Sequence, residues 1–336
     1  MSGERRRLAM LYALLAAGNI AAWAAALIVF RDRPVLLGTA LLAYSFGLRH
    51  AVDADHIAAI DNVTRKLMQR GQRPLTAGLY FSLGHASVVV LAVLSLALAA
   101  GALQDRFAAL HDWGAVIGTA ISALVLFAVA AANLVVFRAV WRTWRVVGRG
   151  GRLVEDEVDR VLDRRGFLGR IFGPLFRLIG KSWQMYPLGV LFGLGFDTAT
   201  EVALLGIAAA EAEKGLSIGA ILIFPALFTA GMVLVDTTDS VLMVGAYGWA
   251  FIEPRRKLFY NLVITLVSVV VALAVGGIEA LGLLADRLGL TGPFWSLVER
   301  LNDNFTGIGF AIIAIFLAAW LVSALLWRLR VSSAAG

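Results

Sequence analysis

The sequence predicts an all-α, polytopic integral membrane protein with eight transmembrane helices, and three observations carry that prediction. Of 336 residues, 60% are hydrophobic and 16% charged, where soluble chains average about 45–50% and 25%. Apolar windows of about 20 residues, the length that crosses a bilayer as a helix, recur along the whole chain. The basic residues concentrate in alternate connections between those windows, as membrane topology requires. The formal net charge of +7 is therefore a matter of topology, and nucleic acid is not an expected partner. The lipid bilayer is. There is no cysteine, so disulfides, thiolate metal sites and thiol catalysis are excluded together.

The windows fall at 8–30, 35–60, 75–101, 114–137, 184–210, 216–248, 258–284 and 305–327. The first, behind Arg5-Arg6-Arg7 and with small residues at Ala24-Ala25-Ala26, imitates a signal peptide. Its apolar run exceeds the 7–15 residues of a signal-peptide core, which predicts an uncleaved span. With the N-terminus inside, 23 of the 30 Lys and Arg fall in inward segments (the N-terminus, 62–74, 138–183, 253–257 and the C-terminus) and six in outer loops. Both termini are thus expected in the cytoplasm.

Three segments follow: 1–137 with four spans, a basic cytoplasmic loop at 138–183, and 184–336 with four more. Acids at Glu155, Asp156, Glu157, Asp159 and Asp163 among that loop's eleven basic residues suggest an interfacial helix around 153–165, lying against anionic lipid. Gly180-Lys181-Ser182 looks like the tail of a phosphate-binding loop, but the glycine needed at 175 is Leu175, and the match fails. A weak echo links the halves. Gly47-Leu48 resembles Gly193-Leu194, 146 residues on, and Phe81 to His85 resembles Phe228 to Met232, 147 residues on. Partners three spans apart would run in opposite directions, the inverted-repeat plan of many secondary transporters.

Three histidines and six carboxylates stand out in four of these apolar spans. They are His50, Asp53, Asp55 and His56 in the second, His85 in the third, Asp197 and Glu201 in the fifth, and Asp236 and Asp239 in the sixth. Each ionised acid near the bilayer centre costs about 2.5–3.5 kcal/mol, so six represent about 15–20 kcal/mol that requires compensation. Imidazole nitrogen with carboxylate oxygen is the ligand set of a borderline divalent transition metal. On a helix, His50, Asp53 and His56 share one face while Asp55 projects about 140° from His50, and His50 and His56 stand about 9 Å apart along the axis. That is too far for both to reach one ion from an unbroken helix. Either the helix unwinds, or the histidines serve successive positions, or one supports the other. Unwinding is favoured, because Asp is a poor mid-helix residue.

Arg49 is read as a counter-charge for these acids. Asp197 and Glu201 are spaced i,i+4 and Asp236 and Asp239 i,i+3, each pair on one helix face. With the neighbouring threonines they line a route that suits a cation, where proton movement could accompany metal movement. Enzyme readings fare worse. No His is followed by Glu, as a helical zinc protease requires, and no Gly-x-Ser-x-Gly elbow occurs.

These residues resemble the nickel/cobalt transporter family of single-subunit permeases. The family's His-x4-Asp-His is matched by His50, Asp55 and His56. Leu83 to Val89, Leu194 to Glu201 and Gly231 to Asp239 match its motifs in the third, fifth and sixth helices. The resemblance covers residues 8–330. One departure is Ser240, where the family usually has glycine. The resemblance implies inward transport of Ni2+, Co2+ or both across the inner membrane, with no prosthetic group and no ATP-binding subunit. It implies His50, Asp55 and His56 as the recognition core, with Asp53 and His85 close by. Arg49, Asp197, Glu201, Asp236 and Asp239 would line the onward route or exchange protons. The rival readings are metal efflux, a metal-dependent intramembrane enzyme, and a sensor that binds metal without moving it.

Overall fold

The computed structural model describes residues 2–98, most of 116–145, 179–194, 199–250 and 254–334. Among the described residues there is no strand. The principal helices are α1 (Ser2–Val29), α2 (Pro34–His50), α3 (Ala54–Gln69), α4 (Ala77–Leu98), α5 (Ser122–Arg142), α6 (Met185–Gly193), α7 (Ala199–Glu213), α8 (Ile223–Ala250), α9 (Pro254–Leu288), α10 (Pro293–Asp303) and α11 (Phe305–Ala334). Five of them, α1, α4, α5, α8 and α9, are long and apolar enough to cross a membrane. The pairs α2–α3 and α10–α11 are bent by 51° and 73° at short breaks, and counting each as one span brings the described total to seven. The expected span at 184–210 corresponds to α6 and α7, with 195–198 between them outside the described residues. Asp197, His111 and the expected interfacial helix at 153–165 also lie outside them.

Two boundaries depart from the hydropathy reading. The apolar window of the second span ends at residue 60, yet α3 continues to Gln69 with Asp61, Asn62 and Arg65 buried. A window average scores those residues as loop; in the fold each finds a buried hydrogen-bond partner, which removes most of the desolvation penalty. The connection before the last span has the composition of an outer loop and instead contains α10. Pro293 stands in its first turn, where the missing N–H costs nothing. Val298 of α10 points inward while Phe294 and Leu297 are exposed, the pattern of a helix lying in a membrane interface.

Helix α8 is the centre of the bundle and packs on α1, α2, α3 and α4. Its Phe224 stacks on Phe30 at a centroid distance of 5.4 Å, with Ala40, Ala43, Leu227 and Phe228 in the same core. Leu14, Ile28, Val35 and Leu91 are exposed, as suits surfaces that face lipid. The ion pair of Arg73 with Glu4 and the bond from Gln72 Nε2 to the Gly180 carbonyl (2.8 Å) bring the N-terminus, the α3–α4 connection and the start of α6 to one side. Those segments are among the ones that the charge distribution assigned to a common side.

Of the close glycine contacts between helices, those of α2 with α8 and of α6 with α4 share one pattern. The Phe228 carbonyl abuts Gly47 and the Tyr44 carbonyl abuts Gly231, nearer than a Cβ would permit. In the second interface the Phe81 carbonyl abuts Gly189 and the Tyr186 carbonyl abuts Gly84. Tyr44 and Gly47 thus correspond to Tyr186 and Gly189, 142 residues on, and Phe81 and Gly84 to Phe228 and Gly231, 147 residues on. The counterpart of Gly47 is therefore Gly189, one turn before the Gly193 of the sequence echo. Absence of a side chain is what lets helix backbones approach in lipid, where packing replaces the hydrophobic drive.

Candidate metal site

The polar residues of the second span meet at a helix break. Helix α2 ends at His50, and the chain tightens through i to i+3 bonds, Val52 N–H to the Arg49 carbonyl (3.0 Å) and Asp53 N–H to the His50 carbonyl (2.9 Å), before α3 starts at Ala54. Such turns are the usual way for an α-helix to end. Asp53 occupies the N-cap position of α3 but makes no side-chain cap bond. Both of its oxygens are used elsewhere: Oδ2 lies 3.0 Å from His50 Nδ1, and Oδ1 accepts from the Thr306 hydroxyl at 2.6 Å. The break thereby gives up a helix cap and orients an imidazole.

The bend brings together side chains that a straight helix would hold apart. The rings of His50 and His56 have centroids 4.6 Å apart, and both lie within 5 Å of the His85 ring from α4. One nitrogen from each of the three imidazoles falls within 4.8 Å of the others. All three are buried.

Each imidazole has a carboxylate beside it. An ionised carboxylate only accepts hydrogen bonds, so the contacts fix tautomers. His50 donates from Nδ1 to Asp53, and His56 from Nδ1 to Asp236 Oδ2 at 3.1 Å. Both then present an Nε2 lone pair, and that of His56 has no hydrogen-bond partner among the described residues. His85 Nε2 lies 2.7 Å from Glu201 Oε1 and 3.0 Å from His50 Nε2; by the same rule it donates to Glu201, and it presents a lone pair to an ion only as the other tautomer. Carboxylates behind imidazoles hold ring orientation and raise ligand basicity, as at histidine metal sites generally. Helix α2 also directs its C-terminal carbonyl end at the cluster, which favours a cation.

The His50 and His85 nitrogens, 3.0 Å apart, are close enough for one ion to bridge them at the usual metal–imidazole length of about 2.0–2.1 Å.

The other expected site residues are placed as follows. Asp53, not Asp55, reaches the His50 ring; Asp55 Oδ1 has no hydrogen-bond partner among the described residues. Arg49 reaches the acids through a hydroxyl. Its Nε donates to Thr306 Oγ1 at 3.2 Å, and Thr306 passes the contact on to Asp53. Asp236 also accepts from the Ser82 hydroxyl at 2.6 Å, and Asp239, one turn along α8, is buried with Oδ2 unpartnered among the described residues. Ser240 donates to the Thr237 carbonyl at 3.0 Å and to the Leu75 carbonyl at 3.3 Å, so the hydroxyl at this position ties α8 to the α3–α4 connection. Thr306, Phe81 against the His56 ring, and the buried Arg65 are not singled out by the sequence. Arg65 carries a signal in hindsight, since it follows Asp61 at i+4; Thr306 carries none.

The sequence profile of a family described as "High-affinity nickel-transport protein" matches residues 36–326. A high-affinity nickel transport protein of Cupriavidus necator is 64% identical over 97% of this chain and 93% of its own length. The hydrogenase nickel incorporation protein HupN of Bradyrhizobium diazoefficiens is 55% identical over 98% and 86%. A cobalt transport protein, NhlF of Rhodococcus rhodochrous, is 40% identical over 85% and 81%. No solved structure matches the chain. This chain, a bundle of apolar helices around a buried imidazole and carboxylate cluster and matched along most of its length by that profile, belongs to the high-affinity nickel-transport protein family: it is a multi-pass membrane transport protein and not an enzyme.

Proposed function

We propose that the chain is a single-subunit secondary transporter that takes up Ni2+, Co2+ or both across the inner membrane, with eight spans and both termini in the cytoplasm. The observation that supports this best is the convergence of His50, His56 and His85 on one point, with Asp53, Asp236 and Glu201 beside them. His50 and His56 grip the ion from the two sides of the helix break, and His85 completes the nitrogen set. Glu201 lies 3.9 Å from His50 Nε2 as well as 2.7 Å from His85, so its oxygen serves as a fourth ligand. Asp55 adds negative charge at the mouth of α3. Asp236, Asp239 and Asp197 line the onward route. Arg49, through Thr306, holds Asp53 in place.

The equivalence of the α2–α8 and α6–α4 interfaces supports an inverted repeat, with the binding site at the repeat interface. The carboxylates offset the charge of a divalent ion, so that it enters the bilayer interior as a nearly neutral cluster. The electrochemical gradient supplies the drive, and no nucleotide-binding subunit takes part.

Uptake of labelled nickel into purified, oriented proteoliposomes tests the reading. Inward accumulation that vanishes in His50→Ala supports it. Accumulation indifferent to His50, His56 and His85, or net extrusion under the same gradient, would overturn it.

A further inference from the structure

Beyond the histidine triad, α3 carries a second buried polar junction. Arg65 is 1% exposed and is among the largest fully buried side chains of the described residues. Its Nη1 donates to Thr265 Oγ1 of α9 at 2.8 Å and its Nη2 to Asn62 Oδ1 at 3.1 Å. Asp61, one turn back, lies in the field of this guanidinium. The Asp61 carboxylate also accepts from the Tyr247 hydroxyl of α8 and from Ser268 Oγ of α9, the latter at 3.3 Å. Helices α3, α8 and α9 are thereby joined at one point.

The junction is continuous with the metal cluster. His56 contacts Asp236 of α8, the buried Asp239 stands three residues on along the same helix, and Tyr247 of that helix bonds Asp61. A line of buried carboxylates therefore runs from the triad to Arg65. Along α3, Asp61 is about 7.5 Å and Arg65 about 13 Å beyond His56, towards the side where the N-terminus and the α3–α4 connection meet. A guanidinium does not lose its proton in proteins, so the far end of the carboxylate line holds a permanent positive charge.

We propose that Arg65 is a resident cation that closes the route on one side of the histidine triad, with Asp61 and Tyr247 as its latch. This rests on the uptake reading above. A divalent ion advancing along the acids meets a like charge in a medium of low polarity, where the repulsion is strong. It passes when α3 swings and carries Arg65 away. The break at residues 51–53 is the point about which α3 would turn, and His50 and His56 lie on its two sides. An ion that holds both histidines bears on the break; a hard ion that prefers oxygen ligands, such as Mn2+, does not and is stopped at Arg65.

The test uses the full chain in proteoliposomes, with Ni2+ and Mn2+ offered separately, and nickel binding to the detergent-purified protein by isothermal titration. Arg65→Gln is expected to bind nickel within about twofold of the parent, because the triad is untouched, and to admit Mn2+ about tenfold faster, since the repelling charge is gone. Arg65→Lys keeps the charge and is expected to exclude Mn2+. Should Arg65→Gln fail to accumulate because Asp61 loses its neighbouring counter-charge, the double variant Arg65→Gln/Asp61→Asn removes both charges and is read the same way. Mn2+ exclusion unchanged in the neutral variant, or equal leakage in Gln and Lys, overturns the proposal. If nickel binding by the parent does not depend on His50 and His56, it is the site reading that fails, and the two failures are told apart.

Discussion

The Nε2 atom of His50 lies 3.0 Å from the Nε2 atom of His85, although the residues are 35 positions apart on different helices. Two ring nitrogens at that distance either share a proton or share a metal. Replacing either ring therefore removes half of the contact. His50→Ala, His56→Ala and His85→Ala are each expected to reduce nickel uptake to the background of a transporter-deficient host. Asp53→Asn and Asp236→Asn, which leave the ligands in place but release the rings, are expected to cost about 10–100-fold. Uptake near the parental rate in any of the three alanine variants would remove that ring from the site.

The ligand set predicts a spectroscopic outcome. Nickel bound to the purified protein should show a first shell of nitrogen and oxygen alone, with imidazole scattering and bonds of about 2.0–2.1 Å. X-ray absorption at the nickel edge measures this directly. A sulfur neighbour would have to come from methionine, as the chain has no cysteine, and would place the ion somewhere other than the triad.

Two hydroxyls hold the carboxylates that hold the rings. Thr306 donates to Asp53 and Ser82 to Asp236. Hydrogen bonds to charged groups are worth about 1.5–3 kcal/mol, so Thr306→Val and Ser82→Ala should each weaken nickel binding about tenfold while the protein remains folded. Titration calorimetry beside a thermal melt separates the two effects. A fall in melting temperature without a change in affinity would make these bonds structural only.

Gly47 and Gly189 occupy corresponding places in the α2–α8 and α6–α4 interfaces. A methyl group at either must push a backbone carbonyl aside, and overpacking of this kind costs about 1–3 kcal/mol. Gly47→Ala and Gly189→Ala are thus expected to destabilise the detergent-solubilised protein to a similar degree, by thermal unfolding. One harmless substitution and one severe one would contradict the equivalence.

Much of the site was legible because charge in an apolar run is conspicuous. His50, His56, His85, Glu201 and Asp236 stood out for that reason, and helix geometry alone required a break if His50 and His56 were to act together. The same criterion misled at α3, where Asp61 and Arg65 looked like the start of a loop because hydropathy counts a buried, partnered arginine as if it were solvated. Thr306 could not be found at all: a threonine at a helix start is ordinary, and its importance comes from a contact 253 residues away. Helix α10 was hidden by its polar face, which lowers a window average below any spanning threshold.

The correspondence between the two interfaces extends to the site and then stops. Displaced by the same intervals, His50 falls on Phe192 and His85 on Met232. All three imidazoles thus lie in the first half with no histidine at the matching positions of the second, whereas Asp53 and Asp55 of the first half and Glu201, Asp236 and Asp239 of the second supply carboxylates. On the proposed repeat, the nitrogen donors are confined to one half while oxygen donors come from both. For an ion of borderline softness, the half that holds the imidazoles is therefore where discrimination against oxygen-preferring ions is expected to arise.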